Sequence, residues 1–238
     1  RILKPLIMKN SKLFYLKMKS IVALLFFLCI SCNSQTLKTD NKSTSSPISE
    51  KDVAKKDTII DFESSEILKE VQPFVATASG KMQYLNWKII KDNNTKVIMQ
   101  QATNDGDYYN LLVLEKPVYK NFTMSAKIKA IAGNEDQGGG LVWRYSNNNN
   151  YYIARFNPLE NNFRLYKVVN GDREKLKSVD FEIKSNEWFE MKIEMIENQI
   201  TCYLNNKILI QIQDDTFPNS GRVGFWTKAD AQTEFDDL

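Results

Sequence analysis

The sequence predicts an all-β domain, a sandwich or a barrel, and three observations carry that reading. Apolar and aromatic residues recur with a period of two from residue 97 to residue 226. Turn signals break the run at Gly133-Asn134, at the asparagines 147–150, at Asn170-Gly171, at Asn205-Asn206 and at Gly221. No amphipathic helical pattern of useful length lies between them.

The chain begins with something else. Residues 1–31 carry six basic side chains (Arg1, Lys4, Lys9, Lys12, Lys17, Lys19) and no acid. Met18 and Lys19 precede an unbroken apolar run at 21–30. A run of that length is short for a permanent membrane span and right for the apolar part of a signal peptide. Ser31 then stands before Cys32, and Cys29 to Cys32 resembles a lipobox. This reading makes Cys32 the lipidated residue, Met18 a fitting start, and the cell envelope the location, on a periplasmic or outer-surface face. Residues 32–58 are rich in Ser, Thr, Lys, Asp and Asn and contain no aromatic residue. Such a segment buries too little apolar surface to order itself and reads as a tether.

The domain occupies residues 59–238. Strands are predicted at 97–101, 109–114, 122–131, 141–145, 151–156, 163–169, 188–195, 200–204, 208–212 and 223–226. In the third of these, Phe122, Met124, Ala126, Ile128 and Ala130 share one face, and Thr123, Ser125, Lys127 and Lys129 share the other. The segments 141–145 and 151–156 are apolar or aromatic on both faces. That places them mid-sheet, with one face on the core and one in a groove. A short helix is predicted at 64–70. No internal repeat is present, which excludes a propeller or solenoid.

Composition removes several chemistries. The chain has no histidine, so Ser-His-Asp triads and His-ligated zinc are excluded. Beyond residue 31, 26 basic residues face 29 acidic ones, which argues against nucleic acid as a partner. Cys202, flanked by Ile200, Tyr203 and Leu204, reads as a small buried hydrophobe. A monomer is expected.

Six motifs match one family together. They are DQGGGLVWRY at 136–145, NYYIARFN at 150–157, LYKVVNG at 165–171, DDTF at 214–217, GRVGFWTKAD at 221–230 and FDDL at 235–238. They resemble the 3-keto-disaccharide hydrolase family, over about residues 73–238. That family groups with the concanavalin A-like lectins and glucanases and is similar to laminin G-like modules. The resemblance implies a concanavalin A-like jelly-roll β-sandwich of two antiparallel sheets, with a concave face that meets carbohydrate. It also implies either hydrolysis of 3-keto-disaccharides or related glycosides, or plain glycan binding. The family strand runs past the point where this chain stops, so a shortened last strand with weak pairing to the first is expected. The alternating Glu-Asp-Glu strand of family 16 glucanases is absent.

The candidate site follows from these motifs. Arg144 and Arg155 lie mid-strand among aromatic residues. There an arginine must line a polar groove or pair with an acid such as Asp136, Glu160 or Asp230. Asp136, with Arg144 and Arg155, is the catalytic set that the resemblance suggests. Gln137, Tyr152, Asn157, Tyr166, Trp226 and Lys228 are the candidate sugar contacts, since sugar C–H faces stack on aromatic rings. Trp143 alternates with Arg144 and reads as core. Gly138, Gly139 and Gly140 read as a bulge or a point of close approach. No cofactor is assigned. Calcium is the one ion the laminin G likeness brings in, at Asp214-Asp215 or Asp236-Asp237.

Overall fold

The computed structural model describes residues 57–67, 72–80 and 84–238. The leader, Cys32 and most of the tether lie outside the described residues. The domain is a jelly-roll sandwich of two seven-stranded sheets. The first sheet runs, in spatial order, β1 (Phe74–Ser79), β4 (Tyr109–Leu114), β13 (Arg222–Lys228), β6 (Gly139–Asn147), β7 (Asn150–Asn157), β8 (Asn162–Val169) and β9 (Asp172–Asp180). The second runs β12 (Lys207–Gln213), β11 (Gln199–Leu204), β10 (Trp188–Ile196), β5 (Phe122–Ala132), β14 (Gln232–Asp236), β3 (Thr95–Gln100) and β2 (Trp87–Asp92). The chain changes sheet after β1, β3, β4, β5, β9, β12 and β13, so it wraps around the core it builds.

The period of two explains the core. Leu112, Leu141, Ala154, Phe163, Leu165 and Phe225 of the first sheet meet Ala126, Ile128, Met191, Ile193, Ile200 and Phe235 of the second. Each large apolar side chain taken out of water contributes roughly 1.5–3 kcal/mol. Trp143 is part of this core, as its alternation with Arg144 predicts. Cys202 is fully buried in it, and burial pushes its thiol far above the usual range.

Every predicted strand is present, and four more join them: β1, β2, β9 and β14. The helix predicted at 64–70 is not formed among the described residues. The backbone turns instead, with Ser65 N–H donating to Phe62 O at 3.0 Å. The turn drives the Phe62 ring into the core, 6.2 Å from Phe74 and 6.5 Å from Phe225. β14 pairs with β3 and β5, hydrogen-bonded on both sides, and Leu238 exchanges backbone hydrogen bonds with Ile60.

Candidate functional site

The outer face of the first sheet carries the site. Registration lines up Leu111, Trp226, Gly140, Arg155 and Arg164 in one row across β4, β13, β6, β7 and β8. The next row holds Val113, Gly224, Val142, Ile153 and Tyr166. These positions alternate with core residues, so they form a second apolar cluster with Tyr109, Tyr145, Tyr151 and Val168. The middle member of the first row has no side chain. A Cβ on Gly140 would lie 1.8 Å from Ala154 O, so only glycine allows β6 and β7 to approach here.

This face is concave. Arg173 on edge strand β9 places its guanidinium 5.0 Å from the Tyr109 ring on β4. Five strand steps separate β9 from β4, which in a flat sheet would be about 24 Å. Only a sheet rolled toward its outer face brings the two together.

At one end of the concavity stands Asp136. The loop that carries it is held by Asp230, whose carboxylate accepts the backbone N–H groups of Asn134 (2.7 Å), Glu135 (3.1 Å) and Asp136 (3.0 Å). Burial alone would push Asp230 up, but those donors outweigh it and hold its carboxyl below the usual range. Glu135 extends the clamp by accepting the Gly106 N–H at 3.0 Å. The Asp136 carboxylate accepts from Asn157 Nδ2 at 2.9 Å and lies 3.8 Å from Lys228 Nζ. Burial pushes its carboxyl above the ordinary value, and the charges of Arg155, Lys228 and Arg173 reduce that shift without reversing it.

Arg155 stands on the same face and is 3% exposed. Its Nη1 donates to Asn162 Oδ1 at 2.6 Å, and its Nη2 to Glu160 Oε2 at 2.6 Å and to the Tyr166 hydroxyl at 3.4 Å. Its Nε has no partner. Glu160 also pairs with Arg164 at 3.0 Å. Burial raises the Glu160 carboxyl, but Arg155 overrides this and leaves it below the ordinary range. Tyr166 receives both arginines at its hydroxyl, and Arg173 lies 4.7 Å from its ring. Trp226 packs at 5.5 Å against Tyr109 on this face and is 1% exposed.

The structure thus brings together Asp136, Arg155, Asn157, Tyr166, Trp226 and Lys228. It places three other expected residues elsewhere. Arg144 does not neighbour Arg155. The antiparallel register sets Arg155 opposite Gly140, four residues along the strand. Arg144 occupies a bulge with φ of +50° and turns out of the groove. Its Nη1 donates to Pro218 O and Asn219 O and its Nη2 to Glu197 O, so it ties the bulge to turns at the sandwich rim. Tyr152 points into the core, because Tyr151 takes the outer face. The Tyr152 ring lies 5.6 Å from Trp143 and 4.9 Å from Phe217, and its hydroxyl donates to Asp214 Oδ1 at 2.5 Å. Gln137 accepts from Ser185 Oγ at 2.9 Å and donates to Ile131 O, away from the groove.

One acid of each pair named for calcium is engaged internally. Asp214 is held by Tyr152, by the Thr216 N–H at 2.9 Å and by Lys167 at 3.3 Å. Lys127 sits 2.7 Å from Asp237. Among the described residues no three acids or thiols are grouped to hold a metal ion.

The residues that sequence reasoning missed are Arg173 and Tyr109. The Asn170-Gly171 turn after β8 was the available signal for a returning strand. The segment Asp172–Asp180 conceals it, since exposed charges interrupt the apolar alternation.

Residues 74–238 match the family described as the 3-keto-alpha-glucoside-1,2-lyase-like domain. The chain belongs to this family. No curated protein matches it. Among solved structures it is similar to a carbohydrate binding module, CBM66 from Bacillus subtilis, with a TM-score of 0.55, 22% identity, and coverage of 68% of this chain and 91% of that one. It is similar to the cellulose induced protein Cip1, with a TM-score of 0.55, 10% identity, and coverage of 76% and 95%. It also resembles a Bacillus subtilis protein of unknown function with a galectin-like fold, with a TM-score of 0.52, 10% identity, and coverage of 70% and 88%. At such identities these structures establish the shared fold. The domain is a jelly roll of this family.

Proposed function

We propose that the domain acts on 3-keto-glycosides by elimination, with Asp136 as the base. The observation that carries this is a part-buried carboxylate at the end of a concave face, flanked by Lys228 and near Arg155. A 3-keto group acidifies the hydrogen on C2. Asp136 takes that proton, and the electrons pass to the C3 oxygen as an enolate. The enolate collapses, the C1–C2 double bond forms, and the glycosidic oxygen leaves from C1 and takes up a proton. Water can then add to the unsaturated sugar to complete a net hydrolysis. Arg155 and Lys228 supply positive charge for the developing oxyanion. A raised carboxyl makes a stronger base, and the nearby cations favour its ionised form.

The test is release of free sugar from a panel of 3-keto-glucosides, with and without chelator. Asp136→Asn should lower turnover by about 100-fold or more with the thermal melt unchanged. In the wild type, turnover should rise with pH as Asp136 ionises, above the ordinary aspartate range. Turnover that survives Asp136→Asn would remove the base from this role.

A second reading is a non-catalytic glycan-binding module. It is favoured by the commitment of both Arg155 Nη atoms to protein partners, which suits a fixed binding surface. Affinity for glycans without turnover would select it. In either case we place the domain at the cell envelope, anchored through a lipid on Cys32, on the strength of the leader sequence. Labelling with a radioactive fatty acid, abolished by Cys32→Ser, checks the anchor.

A further inference from the structure

Arg173 is a cation on the concave face with no carboxylate in salt-bridge contact among the described residues, although its charge reaches Asp136 at longer range. Its guanidinium lies 5.0 Å from the Tyr109 ring and 4.7 Å from the Tyr166 ring, and these two contacts are its partners among the described residues. The neighbouring cations are matched. Arg155 and Arg164 share Glu160, and Lys228 stands within 3.9 Å of Asp107, Glu135 and Asp136. Arg222, 5.3 Å from the Tyr145 ring, resembles Arg173 in having a ring and no acid. Ring faces stabilise a guanidinium without using its N–H donors, which lie in its plane and stay free for an acceptor. A second observation is independent of Arg173. Arg155 is almost wholly buried, yet its Nε has no hydrogen-bond partner. Buried donors of this kind are usually satisfied, and this one adds to the positive potential of the same face.

We propose that the concave face takes an anionic sugar, a glycoside that carries a carboxylate as uronates do, and that Arg173 pairs with that carboxylate. The inference deepens the carbohydrate reading above and rests on it. A planar guanidinium and a planar carboxylate fit through two parallel hydrogen bonds, which a neutral hydroxymethyl group cannot reproduce. Arg173 would then set specificity, while Asp136 and Arg155 attend to the ring.

The experiment titrates the protein with methyl glucuronide and with methyl glucoside, which differ only in the oxidation of C6. Backbone amide shifts follow both titrations at low and at high salt. The glucuronide should bind about ten-fold more tightly at low salt, and the gap should narrow as salt rises. Arg173→Gln should erase the gap and leave the glucoside affinity in place. Arg173 is partly exposed on an edge strand, and a matching thermal melt verifies that the variant folds. Equal affinities in the wild type, or a gap that persists in Arg173→Gln, would overturn the inference. If the glucoside alone binds, only the anionic preference fails. If neither sugar binds, the carbohydrate reading of this face fails with it.

Discussion

Each sheet carries a long cation on its outer face, and the two cations stand in opposite circumstances. Lys129, on β5 of the second sheet, lies 2.5 Å from Asp92 and 2.6 Å from Glu234, with the Trp188 ring 4.8 Å away. Trp188 Nε1 also donates to Asp92 at 3.3 Å. Arg173, on β9 of the first sheet, has two tyrosine rings and, among the described residues, no acid in salt-bridge contact. Around Lys129 the second face has closed its electrostatics internally, whereas the first has left a charge for something outside the chain. A matched buried charge speaks for architecture, and an unmatched one speaks for a ligand.

That contrast can be broken most directly at Lys129. Replacing it with Met leaves one buried carboxylate, Glu234, and one part-buried, Asp92, without their cation. Urea unfolding should report a loss of about 3 kcal/mol, the scale for breaking one side of a buried pair. Sugar affinity should not move. A Lys129→Met protein that is fully stable but fails to bind sugar would reverse the assignment of the two faces.

A smaller effect sharpens the same comparison. Asp236 is the mismatch of the second face, because Lys127 is held by Asp237 instead. Burial and the Asp237 charge raise the Asp236 carboxyl to about 6. A carboxyl raised on folding favours the native state while protonated, and that advantage is lost as pH rises from about 4 through about 6. Asp236→Asn should flatten the fall in stability over that window. At pH 7 it should gain about 1 kcal/mol, allowing for solvent screening of a half-exposed group. Thermal melts at pH 4 and pH 7 would check it, and an unchanged slope would refute it.

Much of this molecule was legible before any coordinates. Alternation in residues 122–131 gave β5 and its inner face, and the doubly apolar segments at 141–145 and 151–156 became the central strands β6 and β7. The phase of alternation also put Trp226 and Lys228 on one face and Phe225 on the other, as found. Strand position and face are local properties, set by backbone pleat and by what each side chain loses in water.

Tertiary structure alone decided which polar residues meet. Arg144 and Arg155 look like partners in sequence, but an antiparallel register separates them and a bulge at Arg144 shifts the phase. Tyr151 and Tyr152 are equivalent as neighbours, and only the packing of the core sends the second inward to Asp214. Arg173 lies on a charged edge strand with little apolar alternation to announce it. It reaches Tyr109 because the whole sheet is rolled. Registers, bulges and the curl of a sheet arise from strands far apart in the chain, so no local window of sequence contains them.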